Sequence, residues 1–550
     1  MEKSNWKILF VFILFGSTVF GQVDENRYLV YFGDKEGTPY SVNEPEEFLS
    51  TRAIQRRLNQ NIPITNDDLP VSPNYIQQVL NLGEVELIYE LKWFNAILIE
   101  TEDEDVLAGI ESLPPVVGLQ ISPVITGEVY PEEPYELPGQ PKNESDYGPS
   151  FNQIDMISGY DLHEQGFRGE GMWIGVFDGG FSLANQADAL SDLFIEDRVI
   201  GTRNFVDGNS SVYFRSSHGT FVLSTMAGNM TDSLIGTAPE ASYLLFITED
   251  VLVERRIEEA NWAAAAEYAD SIGVDVINTS LGYTQFDVPE EDYSYELLDG
   301  NTTLITRASD KAASKGMLIV TSAGNSGNSE WFYISAPADG DSVLAVGALR
   351  PDTELVGFSS RGPRVDGAIK PNVVAQGFQA VVTDMGDGIS VANGTSFSSP
   401  IIAGMAASLW QAVPNATAHE VFQAIEESAH LYANPNDSLG YGIPNFVDAL
   451  EILQTTTGTI DVAGNSGSVG LFPNPIAQGE MLTFIVPSVF SANLNVAILD
   501  ITGKTIYTDR LNVYGNRASI NNLPIATTGV YLIDLRDDNG NRATGKLLLR

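Results

Sequence analysis

Cysteine is absent from all 550 residues. That excludes disulfides, thiolate catalysis, cysteine-bound metals and lipid attachment through an N-terminal cysteine. Histidine is nearly as scarce, with four residues, so imidazole chemistry has few places to sit. Basic residues are few: 29 Lys plus Arg stand against 73 Asp plus Glu, a formal charge of −44. Such a surface is well solvated and repels phosphate backbones and anionic lipid, which argues against a nucleic-acid or membrane-surface role. Beyond the N-terminus no apolar run is long enough to span a bilayer, so no transmembrane anchor is expected in the mature chain.

What is present is globular: 43% hydrophobic and 10% aromatic residues. A chain of this length exceeds what one core organises, and roughly two to four domains are expected. Lys3 and Lys7 precede the apolar run "ILFVFILF" (residues 8–15) and then "GSTVFGQ". A basic start, a short apolar stretch and the small Gly21 predict a secretory signal peptide over residues 1–21, removed near Gly21–Gln22.

Residues 22–125 alternate strand and helix patterns. "RYLVYFG", "EVELIYELKWFNAILIETE" and "PVVGLQISPV" read as strands; "EEFLSTRAIQRRLNQ", "NYIQQVLNL" and "EDVLAGIESL" read as helices. A small α+β domain is expected there. A Pro/Glu/Gly-rich stretch over 126–150 reads as a linker. From 151 to 455 short apolar runs ("MWIGVF", "SYLLFI", "VDVINTS", "MLIVTSA", "SVLAVGA") alternate with helices, the pattern of a doubly wound, mostly parallel α/β sheet. A second linker follows over 456–468. Residues 469–550 alternate strand and turn, predicting an all-β sandwich.

Open α/β sheets place their sites at the carboxyl ends of strands. Three polar stretches fit that rule. "WIGVFDGGF" ends a strand at Asp178, "SSHGTFVLSTMAG" puts His218 at the start of an amphipathic helix stopping near Gly228, and "LIVTSAGNSG" ends a strand at Asn325. The remaining histidines have ordinary readings. His163 precedes the first strand of this domain, His419 follows a Thr417/Glu420 capping box, and His430 sits near the end of that helix. In "NGTSFSSPIIAGMAA", Ser396 stands at a helix N-terminus, where backbone N–H groups favour nearby negative charge. Pro400 is expected to be tolerated there as a first-turn residue, and Ala403, Gly404, Ala406 and Ala407 keep the helix narrow.

"VFDGG", "SHGTFVLSTMAG", "SAGNSG" and "NGTSFSSPIIAGMAA" occur in the order found in subtilisin-like serine peptidases, and the resemblance covers residues 151–455. It implies Ser396 as nucleophile, His218 as general base and Asp178 as the group that orients it. Asn325 and the Ser396 N–H would form the oxyanion hole. Ser280, Leu281 and Gly282 resemble the strand edge that pairs with substrate, and Ala323 and Gly324 would line the far side of the S1 pocket. One departure is Gly179, where many relatives carry Thr or Ser; it removes one hydrogen bond to the carboxylate and leaves activity open. Residues 22–125 resemble the inhibitory propeptides of these enzymes. The C-terminal 469–550 resembles the sorting domains of type IX secretion cargo in Bacteroidetes. A carbohydrate-binding β-sandwich is the alternative for that tail.

Together these imply a zymogen of a secreted serine endopeptidase, delivered outside the cell or to the outer-membrane surface. Its partners would be protein or peptide substrates and the type IX machinery. No cofactor or metal is required; structural calcium is common among relatives, and no acidic loop here has the periodic spacing that would place it. A catalytically silent scaffold protein and a peptide ligase or cyclase using the same triad stay open as alternatives.

Overall fold

The computed structural model describes residues 22–24, 26–121, 124–126, 146–456 and, with interruptions, 466–549. The signal segment and most of both linkers lie outside these residues. The chain forms two compact units, residues 1–453 and 454–550.

The first unit opens with β1 (Arg27–Phe32), α1 (Thr51–Asn59), α2 (Pro73–Leu80), β2 (Glu86–Leu91), β3 (Ala96–Glu100), α3 (Glu104–Glu111) and β4 (Val116–Ile121). The four strands pair antiparallel in the order β2-β3-β1-β4. Ser50 caps α1 by accepting the Ala53 N–H, and Pro73 opens α2, where a missing N–H costs nothing.

A seven-stranded sheet follows. Its strands are β5 (Trp173–Asp178), β6 (Val199–Asn204), β7 (Ser242–Ile247), β8 (Val276–Thr279), β9 (Leu318–Ser322), β10 (Val343–Leu349) and β11 (Val373–Gln376). The order is β11-β10-β9-β8-β5-β7-β6, and every pairing is parallel. The flanking helices are α4 (His218–Ala227), α5 (Ile257–Ile272), α6 (Leu304–Ser314), α7 (Thr395–Ala412) and α8 (Ala418–Glu427). Strands β7 to β10 are buried at every position but Ser242 and mostly apolar, because both faces are covered. One apolar cluster joins α4 and α7 to one face; another joins α5 and α6 to the other. The doubly wound architecture expected from the sequence is what forms.

Four details differ from the sequence reading. α4 is not amphipathic: Gly219 to Ala227 are all buried. Its hydroxyls are satisfied locally, Ser224 donating to the Phe221 carbonyl and Thr225 to that of Val222 (2.7 and 2.8 Å). Pro400 lies inside α7 and not in its first turn. His430 lies beyond the end of α8, where its Nδ1 accepts the Ile443 N–H (2.9 Å). Residues 146–150, read as the end of a linker, already pack on the sheet domain: Tyr147 is buried and its hydroxyl meets His163 Nδ1 at 2.8 Å.

The second unit has β12 (Asn493–Asp500), β13 (Thr505–Asn512), β14 (Gly529–Asp537) and β15 (Arg542–Leu549) in one sheet, with Ser466–Ser468 at its edge. A three-stranded sheet of Gly470–Phe472, Leu482–Ile485 and Arg517–Ile520 shares its core through Leu482, Phe484, Val496 and Ile533. This is the expected sandwich. No helix among the described residues is long and apolar enough to cross a membrane.

Candidate active site

Asp178 is the last residue of β5 and is fully buried. Its carboxylate accepts the Gly179 N–H at 2.8 Å and faces His218 Nδ1 with both oxygens, at 3.0 and 2.9 Å. His218 opens α4, and Gly219 makes that docking feasible: a Cβ there would lie 2.4 Å from the Gly180 carbonyl and 3.0 Å from Asp178 Cβ. Gly179 has its own reason. A side chain at that position would meet Val251 Cγ1 at 2.4 Å, so Val251 fills the space a Thr or Ser would need.

Ser396 is the second residue of α7 and is buried to 8% exposure. Its hydroxyl donates to the Ser280 carbonyl at 3.3 Å, while the Ser280 hydroxyl donates to the Ser396 carbonyl at 2.8 Å. Pro400 explains the second bond. A residue four positions on would normally supply an N–H to the Ser396 carbonyl, and proline has none, so Ser280 does it instead. Asn278 donates to Ser280 Oγ (3.1 Å) and accepts from Ser399 Oγ (2.8 Å), fixing the edge of β8 against α7. The His218 ring lies 5.8 Å from that of Phe397, the residue after Ser396. The α4 and α7 N-termini therefore meet at one rim of the sheet.

Asn325 follows β9. Its Oδ1 accepts both the Thr395 N–H (2.9 Å) and the Thr395 hydroxyl (3.0 Å), which leaves its Nδ2 to face the site. A Cβ built on Gly394 would sit 3.5 Å from Asn325 Nδ2 and 3.6 Å from both N and Oγ of Ser396. Two donors and one alcohol thus converge on a point that the missing side chain leaves open.

The other predicted residues divide. Leu281 and Gly282 line, with Ser280, Asp178 and His218, a cavity of about 680 Å³. Gly324 adopts φ +105°, and its N–H donates to Thr395 Oγ at 3.2 Å. Ala323 is fully buried in a small core with Ile334 and Ala345 and does not line that cavity. The cavity has an acidic wall. Burial pushes Glu254 up to about 7, helped by Asp287, and raises Glu249 and Glu258 well above the carboxylate range. The sequence reading gives Thr395, Gly394 and Asn278 no role in the site. Thr395 and Gly394 sit in "NGTS" beside Ser396, and that adjacency was the available signal; Asn278 carried none.

In chain order an α+β part, a wound parallel sheet and a strand-rich unit, with an aspartate paired to a histidine and a serine at one rim of the sheet, fit the class of α/β serine peptidases. Comparison with known proteins narrows it. The model described as "Subtilase family" matches residues 169–442. "Peptidase S8 propeptide domain, Bacteroidota" matches 27–131, and "Secretion system C-terminal sorting domain" matches 470–550. Subtilisin DY of Bacillus licheniformis is 30% identical over 291 residues, 52% of this chain and 93% of its own. Subtilisin E of Bacillus subtilis is 32% identical over 285 residues, 51% of this chain and 66% of its own. M-protease of Shouchella clausii is 26% identical over 453 residues, 81% of this chain and 98% of its own. The chain belongs to the subtilase family of serine peptidases. It is a secreted or cell-surface protein with a propeptide and a type IX sorting domain.

Proposed function

We propose that the protein is an endopeptidase that cleaves peptide bonds through an acyl-enzyme on Ser396, with His218 as general base and Asp178 as its orienting partner. The observation that carries this is the pairing of His218 Nδ1 with both Asp178 oxygens beside an alcohol flanked by two convergent N–H donors. The Asp178 bond fixes the tautomer that presents Nε2 to the site and stabilises the imidazolium. Nε2 takes the Ser396 proton as Oγ attacks the scissile carbonyl, and later gives it to the leaving amine. The carbonyl oxygen, now negative, accepts from the Ser396 N–H and Asn325 Nδ2. Water then repeats the cycle on the acyl ester.

Peptide substrate would lie along Ser280–Gly282, with the side chain before the scissile bond entering the gap toward Ala323 and Gly324. The chemistry needs no metal, and structural calcium is not assigned a place. Gly179 does not argue for a silent scaffold, because Asp178 keeps its backbone donor and its bond to His218.

Parent and Ser396→Ala variant, assayed on unfolded casein and with a serine-directed phosphonate, test the reading. The parent is expected to digest and become labelled, and the variant to do neither. Identical behaviour of the two would leave a non-catalytic binding protein as the better account. An amine-dependent product in place of hydrolysis would indicate a ligase.

A further inference from the structure

Three neighbouring strands of the sheet carry an aspartate at or just beyond their carboxyl ends. Asp178 ends β5, Asp250 follows β7 and Asp207 follows β6. The strand ends are level, since Ile247 pairs with Asp178 on one side and with Asn204 on the other. Asp178 meets His218, and the other two aspartates meet Arg215, earlier in the same segment. The Arg215 guanidinium donates through one terminal nitrogen to Asp250 at 2.8 Å and through the other to Asp207 at 2.5 Å. Residues 215–218 are thus laid across three strand ends, fastened by a guanidinium at one end and an imidazole at the other.

The partners are themselves held. Asp207 accepts the side-chain amide of Asn204, the last residue of β6, at 2.8 Å, and the Asp250 N–H donates to Glu258 of α5 at 2.7 Å. The backbone around Arg215 is equally confined. The Phe181 N–H donates to the Val212 carbonyl and the Ser182 N–H to that of Ser216, both at 2.9 Å, so the segment runs against the turn that follows Asp178. A Cβ on Gly180 would lie 2.3 Å from the Phe214 carbonyl oxygen and 2.5 Å from the Ser216 nitrogen. Ser216 Oγ then accepts the His218 N–H at 3.0 Å.

Arg215 adopts φ +70°, a left-handed conformation that glycine takes freely and an arginine does not. Such conformations persist where the surroundings over-determine them, and they cluster at functional sites. An arginine in that place therefore needs a reason in its side chain. Solvation is not the reason, because the Arg215 and Asp250 side chains are only 12% and 10% exposed. We propose that Arg215 is a positioning residue that sets the place of His218 against Asp178. Its planar fork reaches two carboxylates at once, which the single ammonium of a lysine does not match. The Asp250 end has a second effect, because the next residue, Val251, fills the space over Gly179. Both sides of the Asp178–His218 pair are braced through one guanidinium. The inference rests on the peptidase reading above.

Steady-state kinetics on one peptide amide substrate test it, with the full-length protein after self-processing. Arg215→Gln keeps a polar side chain and loses both ion pairs. It is expected to lower kcat by about ten- to a hundredfold with KM within about twofold, the size of effect that displacing a catalytic group produces. Arg215→Lys holds one carboxylate at a time and should fall between the parent and Arg215→Gln. An unchanged kcat in Arg215→Gln, or a change confined to KM, overturns the inference. Asp207→Asn, at a partly exposed position, is the independent arm if Arg215→Gln folds poorly. It should lower kcat with KM constant, and in the Arg215→Gln background it should add no more than about twofold. Parent-like kcat in Asp207→Asn, or full additivity of the two changes, overturns the inference as well. Absence of both cleavage and phosphonate labelling in the parent would instead bring down the peptidase reading, and this inference with it.

Discussion

Asn325 shows how much of the proposed catalytic geometry is held by a neighbour. Its carbonyl oxygen takes two hydrogen bonds from Thr395, and only that arrangement turns Nδ2 toward Ser396. Removing the amide in Asn325→Leu is expected to lower kcat by about 10²–10³-fold with KM nearly constant, the magnitude known for loss of the corresponding donor in a subtilisin. Thr395→Val keeps the backbone bond and loses the hydroxyl, so a smaller fall in kcat is expected, about tenfold, because a misplaced group costs less than a missing one. Thr395→Ser keeps the hydroxyl and should restore most of the rate. Steady-state kinetics on one peptide substrate check all three, and a change confined to KM would contradict the positioning role. Asp178, His218, Ser396 and Asn325 were legible because each follows an apolar run or opens a helix in a short polar motif. Asn278 was not, since its role depends on β8 meeting α7.

Helix α7 carries an internal proline at the point where it meets the Ser280–Gly282 edge, and the two features are coupled. Ser280→Ala removes the only side-chain donor to the Ser396 carbonyl among the described bonds, while Pro400 supplies no N–H. A loss of about 1–3 kcal/mol is expected, the cost of a stranded buried acceptor. Pro400→Ala in the Ser280→Ala background restores an N–H four residues on and should recover much of that loss, whereas Pro400→Ala alone should gain less. Denaturant unfolding of the four proteins gives the coupling, and strict additivity would show that proline and serine act independently. The same elements mark what sequence patterns reveal. Strands β7 to β10 were recognisable because burial on both faces favours short apolar runs, with polar residues of β8 and β9 gathered at their carboxyl ends. α4 was misjudged for a related reason: its Thr220, Ser224 and Thr225 imitate a polar face, yet each hydroxyl bonds a nearby carbonyl and so tolerates burial.

At the scale of the molecule, the propeptide is fastened to the peptidase by charge as well as by apolar contact. Asp270 on α5 is fully buried and meets Arg56 at 2.6 Å, Arg57 at 2.7 Å and Lys92 at 3.4 Å, all from the N-terminal unit. Asp68 of that unit is held in turn by Arg57 (3.0 Å) and by Lys315 of the peptidase (2.8 Å). Removing one member leaves uncompensated buried charge, so Asp270→Asn should destabilise the zymogen by about 3–5 kcal/mol, measured by unfolding in a Ser396→Ala background that cannot process itself. Glu267, also on α5, adds a dependence on pH. It accepts the backbone N–H groups of Lys92 and Trp93 (2.6 and 2.9 Å). Burial nevertheless lifts it from its ordinary 4.5 to about 7, with Lys92 opposing the rise. Separation of the two parts returns the carboxyl to water and to its ordinary value, so the joined state binds the extra proton between about pH 4.5 and 7. The contribution is complete below that window and is lost as pH rises through it. With a cleavage site introduced between residues 127 and 145 and the chain cut there, the N-terminal unit should therefore stay bound more firmly at pH 5 than at pH 8. Glu267→Gln should flatten that dependence. Gel filtration of the cut Ser396→Ala protein across this range measures it, and retention that strengthens toward pH 8 would contradict the assignment of Glu267 as the titrating group.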